Sequence, residues 1–192
     1  MSLHISKGNT KIGNIANVSL PPGLSCRKDV PCFMEGCYAR SAFRMYPTVR
    51  KAWTENLEYY QEFPDKYFKG VAEAAKYYTL FRWHVSGDIV DEKYLEGMKQ
   101  VALSCPNTRF LCFTKRYDYD YSGIPENLII VLSTWPGLEL PNNDSLPWAW
   151  LMNDVRRPLN GMYLVCPGNC SVCENKCWNL IDKDIPVVFQ KH

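Results

Sequence analysis

The sequence predicts an α/β protein, either a partial (β/α) barrel or an open, mostly parallel sheet, in a single domain over residues 1–192. Three observations predict it. Short apolar runs alternate with segments of helical periodicity, the pattern of parallel strands joined by crossover helices. One run, Leu128–Ser133 (LIIVLS), is apolar almost throughout, as expected of a parallel strand buried on both faces. Three runs end in small polar residues: Ser86-Gly87-Asp88, Thr114-Lys115 and Ser133-Thr134. Ligands of parallel α/β folds bind beyond the carboxyl ends of the strands. A full eight-unit barrel takes about 250 residues, so 192 residues fit a partial barrel or an open sheet better.

The elements follow in order. Residues 15–20 (IANVSL) read as a first strand, stopped by Pro21-Pro22-Gly23. A cysteine loop comes next. Residues 37–45 and 48–60 read as helix, with an interruption at Pro47. Another helix starts near Pro64-Asp65, where a proline is well tolerated, and carries Tyr67, Phe68, Val71, Ala74, Ala75 and Tyr78 on one face. Residues 81–86 (FRWHVS) form a strand closed by Gly87-Asp88. Residues 91–104 form a helix with Tyr94, Leu95, Met98, Val101 and Ala102 inward. Arg109–Thr114 and Leu128–Ser133 are strands. The stretch 136–158, rich in Pro, Asn and Trp, reads as a long loop. Residues 162–165 and 185–189 read as the last two strands, with a cysteine-rich segment at 166–178 between them.

Composition excludes several classes. Hydrophobic residues make up 46% and charged residues 22%, which fits a globular domain and not a disordered chain. A net charge of +2 gives no global attraction to nucleic acid or to an anionic membrane. No apolar run is long enough to span a bilayer, and the first residues, MSLHISKGNTKIGN, lack the apolar core of a signal peptide. A cytoplasmic location is expected, with no membrane partner. Disulfides are rare in that compartment, and nine cysteines leave at least one unmatched in any disulfide framework.

Seven of those cysteines fall in two groups. Cys166, Cys170, Cys173 and Cys177 are spaced C-x3-C-x2-C-x3-C in CPGNCSVCENKCW. Thiolates select zinc or iron–sulfur clusters. Structural zinc sites usually divide their ligands between two knuckles with a longer insert, whereas dense runs are typical of ferredoxin-like clusters. A [4Fe–4S] cluster is expected here, with zinc as the alternative metal. Cys26, Cys32 and Cys37 are spaced C-x5-C-x4-C. Three thiolates can hold a [4Fe–4S] cluster and leave one iron open; alternatively they share a site with a distant ligand such as a C-terminal cysteine, or stay unligated. Cys105, at a helix end, and Cys112, mid-strand, read as core.

Other candidates are weaker. His84 lies on a strand just before Ser86-Gly87-Asp88 and reads either as a buried, hydrogen-bonded histidine or as a functional one. Lys115 follows a strand and is suited to pairing a carboxylate or phosphate. His4 and His192 read as inert, and Arg156-Arg157 is too short a run for a nucleic-acid patch.

CYAR after the third thiol, FRWHVSGD, the strand ending FTKR and the tail CPGNCSVCENKCW together resemble the phage and mobile-element family known as gene product 88. That resemblance implies a phage or mobile-element protein, acting in the cytoplasm of a bacterial host, and implies no particular activity. The order of parts is also similar to radical S-adenosylmethionine enzymes. In that class a three-cysteine loop after the first strand holds a [4Fe–4S] cluster, and a Gly-Gly-Glu turn after the second strand meets the amino group of S-adenosylmethionine. Ser86-Gly87-Asp88 stands in the place of that turn, and C-x5-C-x4-C in the place of C-x3-C-x2-C. The likeness implies S-adenosylmethionine as a cofactor bound near Ser86, Gly87, Asp88 and Lys115, a reductant as partner, and an auxiliary cluster on Cys166, Cys170, Cys173 and Cys177. Against this enzyme stands a second reading, a non-enzymatic metalloprotein with a structural cluster or zinc that binds a host protein or nucleic acid. A simple electron carrier is a third.

Overall fold

The computed structural model describes residues 2–10, 12–32, 36–141, 145–158, 163–170, 172–174, 177–180 and 185–190. Seven strands form one open sheet: β1 Ala16–Val18, β2 Leu80–Trp83, β3 Arg109–Thr114, β4 Leu128–Ser133, β5 Trp148–Leu151, β6 Leu164–Val165 and β7 Val187–Phe189. Their order is β1-β2-β3-β4-β5-β7-β6, and every strand pair is parallel. The first five strands lie side by side in chain order, so all their carboxyl ends share one edge. An antiparallel bridge, Ser6 to Asn17, adds the N-terminal segment to β1.

Four helices precede and follow β2: α1 Tyr38–Met45, α2 Pro47–Glu62, α3 Pro64–Ala75 and α4 Glu92–Ser104. Pro47 does not merely interrupt a helix. Pro47 and Pro64 each open one, at the position where a backbone N–H has no helical partner and a fixed φ helps. Asp91 caps α4 by accepting from the Tyr94 N–H at 2.7 Å. The inward faces of α2, α3 and α4 pack Leu57, Tyr60, Tyr67, Val71, Tyr94 and Met98 against Val18, Phe81, Trp83, Phe110, Cys112 and Ile130 of the sheet. The approach of α3 to α4 is close enough that a Cβ on Gly97 would lie 2.2 Å from the Phe68 ring. His4 ties the N-terminus to α2: its backbone N–H donates to Asn56 at 2.8 Å and its ring contacts Glu55 at 2.5 Å.

The opposite sheet face carries no helix among the described residues. Val85, Leu111, Ile129, Val131, Ala149 and Val187 are covered there by Trp178 and Leu180, with Cys166, Cys170 and Cys177 at the margin. Successive residues of a strand point to opposite faces, so β3 sends Phe110 and Cys112 to the helices and Leu111 to the tail. Between β6 and β7 the described part of the tail thus lies against β3 and β4 and reaches β2. Trp178, in a 3-10 turn at Cys177–Asn179, is 1% exposed, and its indole N–H donates to the Phe81 carbonyl at 3.1 Å.

Three expectations need correcting. The second strand ends at Trp83, not at residue 86, because His84 takes a φ of 57°. The bond from the His84 N–H to the Val18 carbonyl (2.9 Å) keeps the chain on β1 even so. The stretch 136–158 is not a plain loop, since it contains β5, paired with β4 and β7. Tyr78 lies beyond α3, which ends at Ala75. Met162, at the start of the strand expected over 162–165, and His192 lie outside the described residues.

Candidate functional site

The three-cysteine loop sits at the carboxyl edge, stitched to the turn after β2. The Leu20 N–H donates to the Ser86 carbonyl at 2.9 Å, and the Val85 N–H to Ser19 Oγ at 3.1 Å. Ser25 Oγ donates to the Pro21 carbonyl at 2.9 Å and accepts from the Asp88 N–H at 3.3 Å. Gly87, at φ 85°, lies against this seam; a Cβ there would stand 2.5 Å from Ser25 Oγ and 2.7 Å from Leu20 Cβ. Only a glycine lets the turn and the cysteine loop approach so closely in that conformation.

Asp88 is the hub of the edge. Its carboxylate is buried and accepts from Thr114 Oγ1 at 2.6 Å, from the Ile89 N–H at 2.8 Å and from the Lys115 N–H at 3.0 Å. Burial raises its pKa, and these three donors oppose that rise. The carboxylate therefore joins the end of β2 to the end of β3 and is turned toward the protein. Lys115 spreads in the other direction: its Nζ donates to Ser133 Oγ at 3.2 Å and stands 6.0 Å from the centre of the Trp135 ring. Arg27 reaches from the cysteine loop to the Lys115 carbonyl at 3.3 Å and also pairs with Asp29. Ser86 Oγ is buried with no hydrogen-bond partner among the described residues.

Cys26, Cys32 and Cys37 share this neighbourhood. Burial pushes the Cys26 thiol up to about 12, against a hydrogen bond from the Gly23 N–H at 3.5 Å, and Asp88, Cys37 and Cys32 push in the same direction as burial. Burial also raises the Cys32 thiol, while Lys115 opposes the rise and Cys37 and Asp88 add to it. The thiols, the carboxylate and the ammonium thus lie within electrostatic reach of one another.

The C-terminal thiols gather elsewhere. Cys166, Cys170, Cys173 and Cys177 line one cavity of about 30 Å³ on the sheet face opposite the helices, with Arg82, Leu111, Phe113 and Trp178. Burial raises the Cys170 thiol and pushes the Cys177 thiol up to about 12; Arg82 opposes both, and the neighbouring thiols reinforce both. None of the N-terminal cysteines lines this cavity. Tyr38 adjoins the N-terminal group. It is 48% exposed as a residue, yet its hydroxyl turns inward and donates to the Val85 carbonyl. Burial raises the pKa of that hydroxyl; Arg82 opposes the rise, and Cys37, Cys26 and Cys32 add to it.

Both sets fit a thiolate-bound group by donor type and by neighbourhood. Their side chains are not drawn into a ligand shell: among the described residues, no group of three or more His, Cys, Asp or Glu side chains is arranged to hold a metal ion.

His84 belongs to the core. Its Nε2 meets the Tyr94 hydroxyl at 3.1 Å, which meets the Tyr67 hydroxyl at 2.6 Å, and its Nδ1 lies 3.9 Å from Cys112 Sγ. Burial, with Arg82 adding, holds its pKa down at about 3. The native state therefore keeps the ring neutral, whereas in the unfolded chain the ring protonates near pH 6.5. Its contribution is complete above that value and is lost as pH falls toward 3. Replacing His84 by Asn, which tolerates a positive φ, should flatten the dependence. Wild type should lose about 1.4 kcal/mol more than the variant between neutral pH and pH 5.5. Denaturant unfolding of both proteins at the two pH values checks this, and parallel curves would contradict it. Cys105 and Cys112 are buried, as read from the sequence. Arg156 is a clamp, donating to Asp154, to the Leu138 carbonyl at 2.6 Å and to the Trp135 carbonyl at 2.7 Å.

Sequence reasoning missed Arg82 and the internal use of Asp88. The only sequence signal for the first was a charge placed between Phe81 and Trp83 in a strand.

No helix among the described residues is long and apolar enough to cross a membrane. No curated protein and no solved structure is significantly similar to the chain. The model of the family Gene product 88 matches residues 3–135. That span holds β1 to β4, the three-cysteine loop, Asp88, Lys115 and Ser133, and it stops before the C-terminal thiols, so the tail stands outside the match. With well over half its length matched, including the whole carboxyl-edge seam, the chain belongs to the gene product 88 family.

Proposed function

We propose that this chain is an iron–sulfur protein resembling a minimal radical S-adenosylmethionine enzyme. Cys26, Cys32 and Cys37 would hold a [4Fe–4S] cluster at the carboxyl edge, and Cys166, Cys170, Cys173 and Cys177 an auxiliary [4Fe–4S] cluster, with zinc as the alternative, beneath the sheet. One observation carries the reading: seven thiols fall into two separate neighbourhoods, and the three-thiol group lies at the edge where parallel α/β folds bind ligands. Parallel strands in chain order, as in β1 to β5 of this open sheet, also occur in partial barrels, which supports the reading.

When bound, a cluster held by three thiolates supplies an open iron for the amino and carboxylate groups of S-adenosylmethionine and the electron that cleaves its sulfonium bond. The chain's own residues then have distinct tasks. Gly87 and Ser25 fix the cysteine loop against the β2 turn. Asp88 holds that turn to β3 and acts as a positioning residue, since its oxygens are engaged inside the protein. Lys115, at the rim, offers a cation to a carboxylate, and the buried Ser86 hydroxyl offers a polar contact.

The test is anaerobic reconstitution with iron and sulfide, followed by dithionite and S-adenosylmethionine. The reading expects 5′-deoxyadenosine, abolished by Cys32→Ser. Intact clusters without cleavage would overturn the enzymatic part.

A second reading draws on a specific observation. The acid that would meet the amino group of S-adenosylmethionine is consumed by Thr114, Ile89 and Lys115. That favours a non-enzymatic phage or mobile-element metalloprotein of the host cytoplasm, in which the metal is structural and the partner is a host protein or nucleic acid. Zinc without acid-labile sulfide in purified protein would select it.

A further inference from the structure

Arg82 occupies an expensive position. It lies mid-strand in β2, between the buried Phe81 and Trp83, and by alternation faces away from the helices, toward the tail. Its guanidinium carbon stands 4.4 Å from the centre of the Phe113 ring. Its Nε is buried without a hydrogen-bond partner among the described residues. The ion pairs among those residues do not include it. The residue as a whole is half-buried, so its head keeps only part of its hydration; an anion would compensate the loss better than a single aromatic face does. A merely amphipathic arginine would bury its stem and return its head to solvent. Arg82 instead lines the cavity that all four C-terminal cysteines line.

The charge on a tetrathiolate centre is the missing partner. Four thiolates around a divalent zinc ion, or around a [4Fe–4S] core of the same charge, leave two negative charges in a site walled by Leu111, Phe113 and Trp178. Such a centre is costly to bury without a counter-charge. We propose that Arg82 is the internal counter-ion of the C-terminal tetrathiolate site. This rests on the reading that these four thiols bind a metal, and it holds whether the metal is zinc or an iron–sulfur cluster.

A counter-ion has a signature that a packing residue lacks: its removal acts with opposite sign on the loaded and empty protein. Without metal, Arg82→Met removes a half-buried cation whose Nε has no partner among the described residues, and the metal-free chain should melt at the same temperature or higher. With metal, the same change leaves the anionic centre unopposed. Release of zinc from the zinc-loaded full chain to a colorimetric chelator should then be roughly tenfold faster or more, the scale on which losing one partner of a buried charge pair speeds dissociation. Arg82→Lys should release at close to the wild-type rate, and Arg82→Gln should follow Arg82→Met, which keeps the comparison open if one variant is insoluble. Equal release from wild type, Arg82→Met and Arg82→Gln would overturn the inference alone. If wild type takes up no metal that Cys170→Ser/Cys173→Ser loses, the metal reading falls and the inference falls with it.

Discussion

Replacing Cys170 and Cys173 together by Ser should strip the C-terminal site of metal and loosen the tail from the sheet. Metal binding in such segments is folding free energy, because no site exists in the unfolded chain. The tail covers much of one sheet face, beside Ile12 and Ile15 of the N-terminal segment, with Trp178 bonded to β2 and Cys173 itself 8% exposed. A loss of about 3 kcal/mol or more is expected, which for a chain of this size is a fall in Tm of roughly 6–12 °C. Iron, sulfide and zinc analysis beside a thermal melt checks both halves. An unchanged Tm at unchanged metal content would contradict it.

The second large effect is expected at Gly87. Gly87→Ala puts a Cβ where φ is 85° and where Ser25 Oγ and Leu20 Cβ already stand within 2.7 Å. The strain of a positive φ and the clash add to about 2–4 kcal/mol. The side that can yield is the cysteine loop, because β2 is locked between β1 and β3. Iron uptake at Cys26, Cys32 and Cys37 should therefore fall along with stability, while metal at the C-terminal thiols stays. Separate spectroscopic quantitation of the two centres, with either one supplied by the matching cysteine variants, reads this. Equal loss at both centres would point to general unfolding instead.

Much of this was legible in the sequence for identifiable reasons. β3 and β4 could be read to the residue, because unbroken apolar runs bounded by polar residues specify buried parallel strands. α4 announced itself through its inward periodicity. The grouping of the thiols followed from their spacing alone. What escaped depended on partners distant in sequence. β5 is a run of Trp, Ala and Leu after a proline, and becomes a strand only by pairing with β4 and with β7. The early end of β2 reflects a backbone choice at His84 that its contacts with Tyr94 and Cys112 sustain. Asp88 read as a free acid at a turn because Thr114, its closest partner, is 26 residues away. Arg82 drew no separate reading, because only the fold brings the tail to β2.

The central claim is that sulfur-to-metal bonds organise both the carboxyl edge and the tail. Its most direct test is iron, acid-labile sulfide and zinc quantitation on the full chain purified without oxygen. The account predicts coloured protein with iron and sulfide in equal amounts, part of it lost in Cys32→Ser and another part in Cys170→Ser/Cys173→Ser. Colourless protein free of iron, sulfide and zinc, with an unaltered melting temperature in both variants, would contradict it.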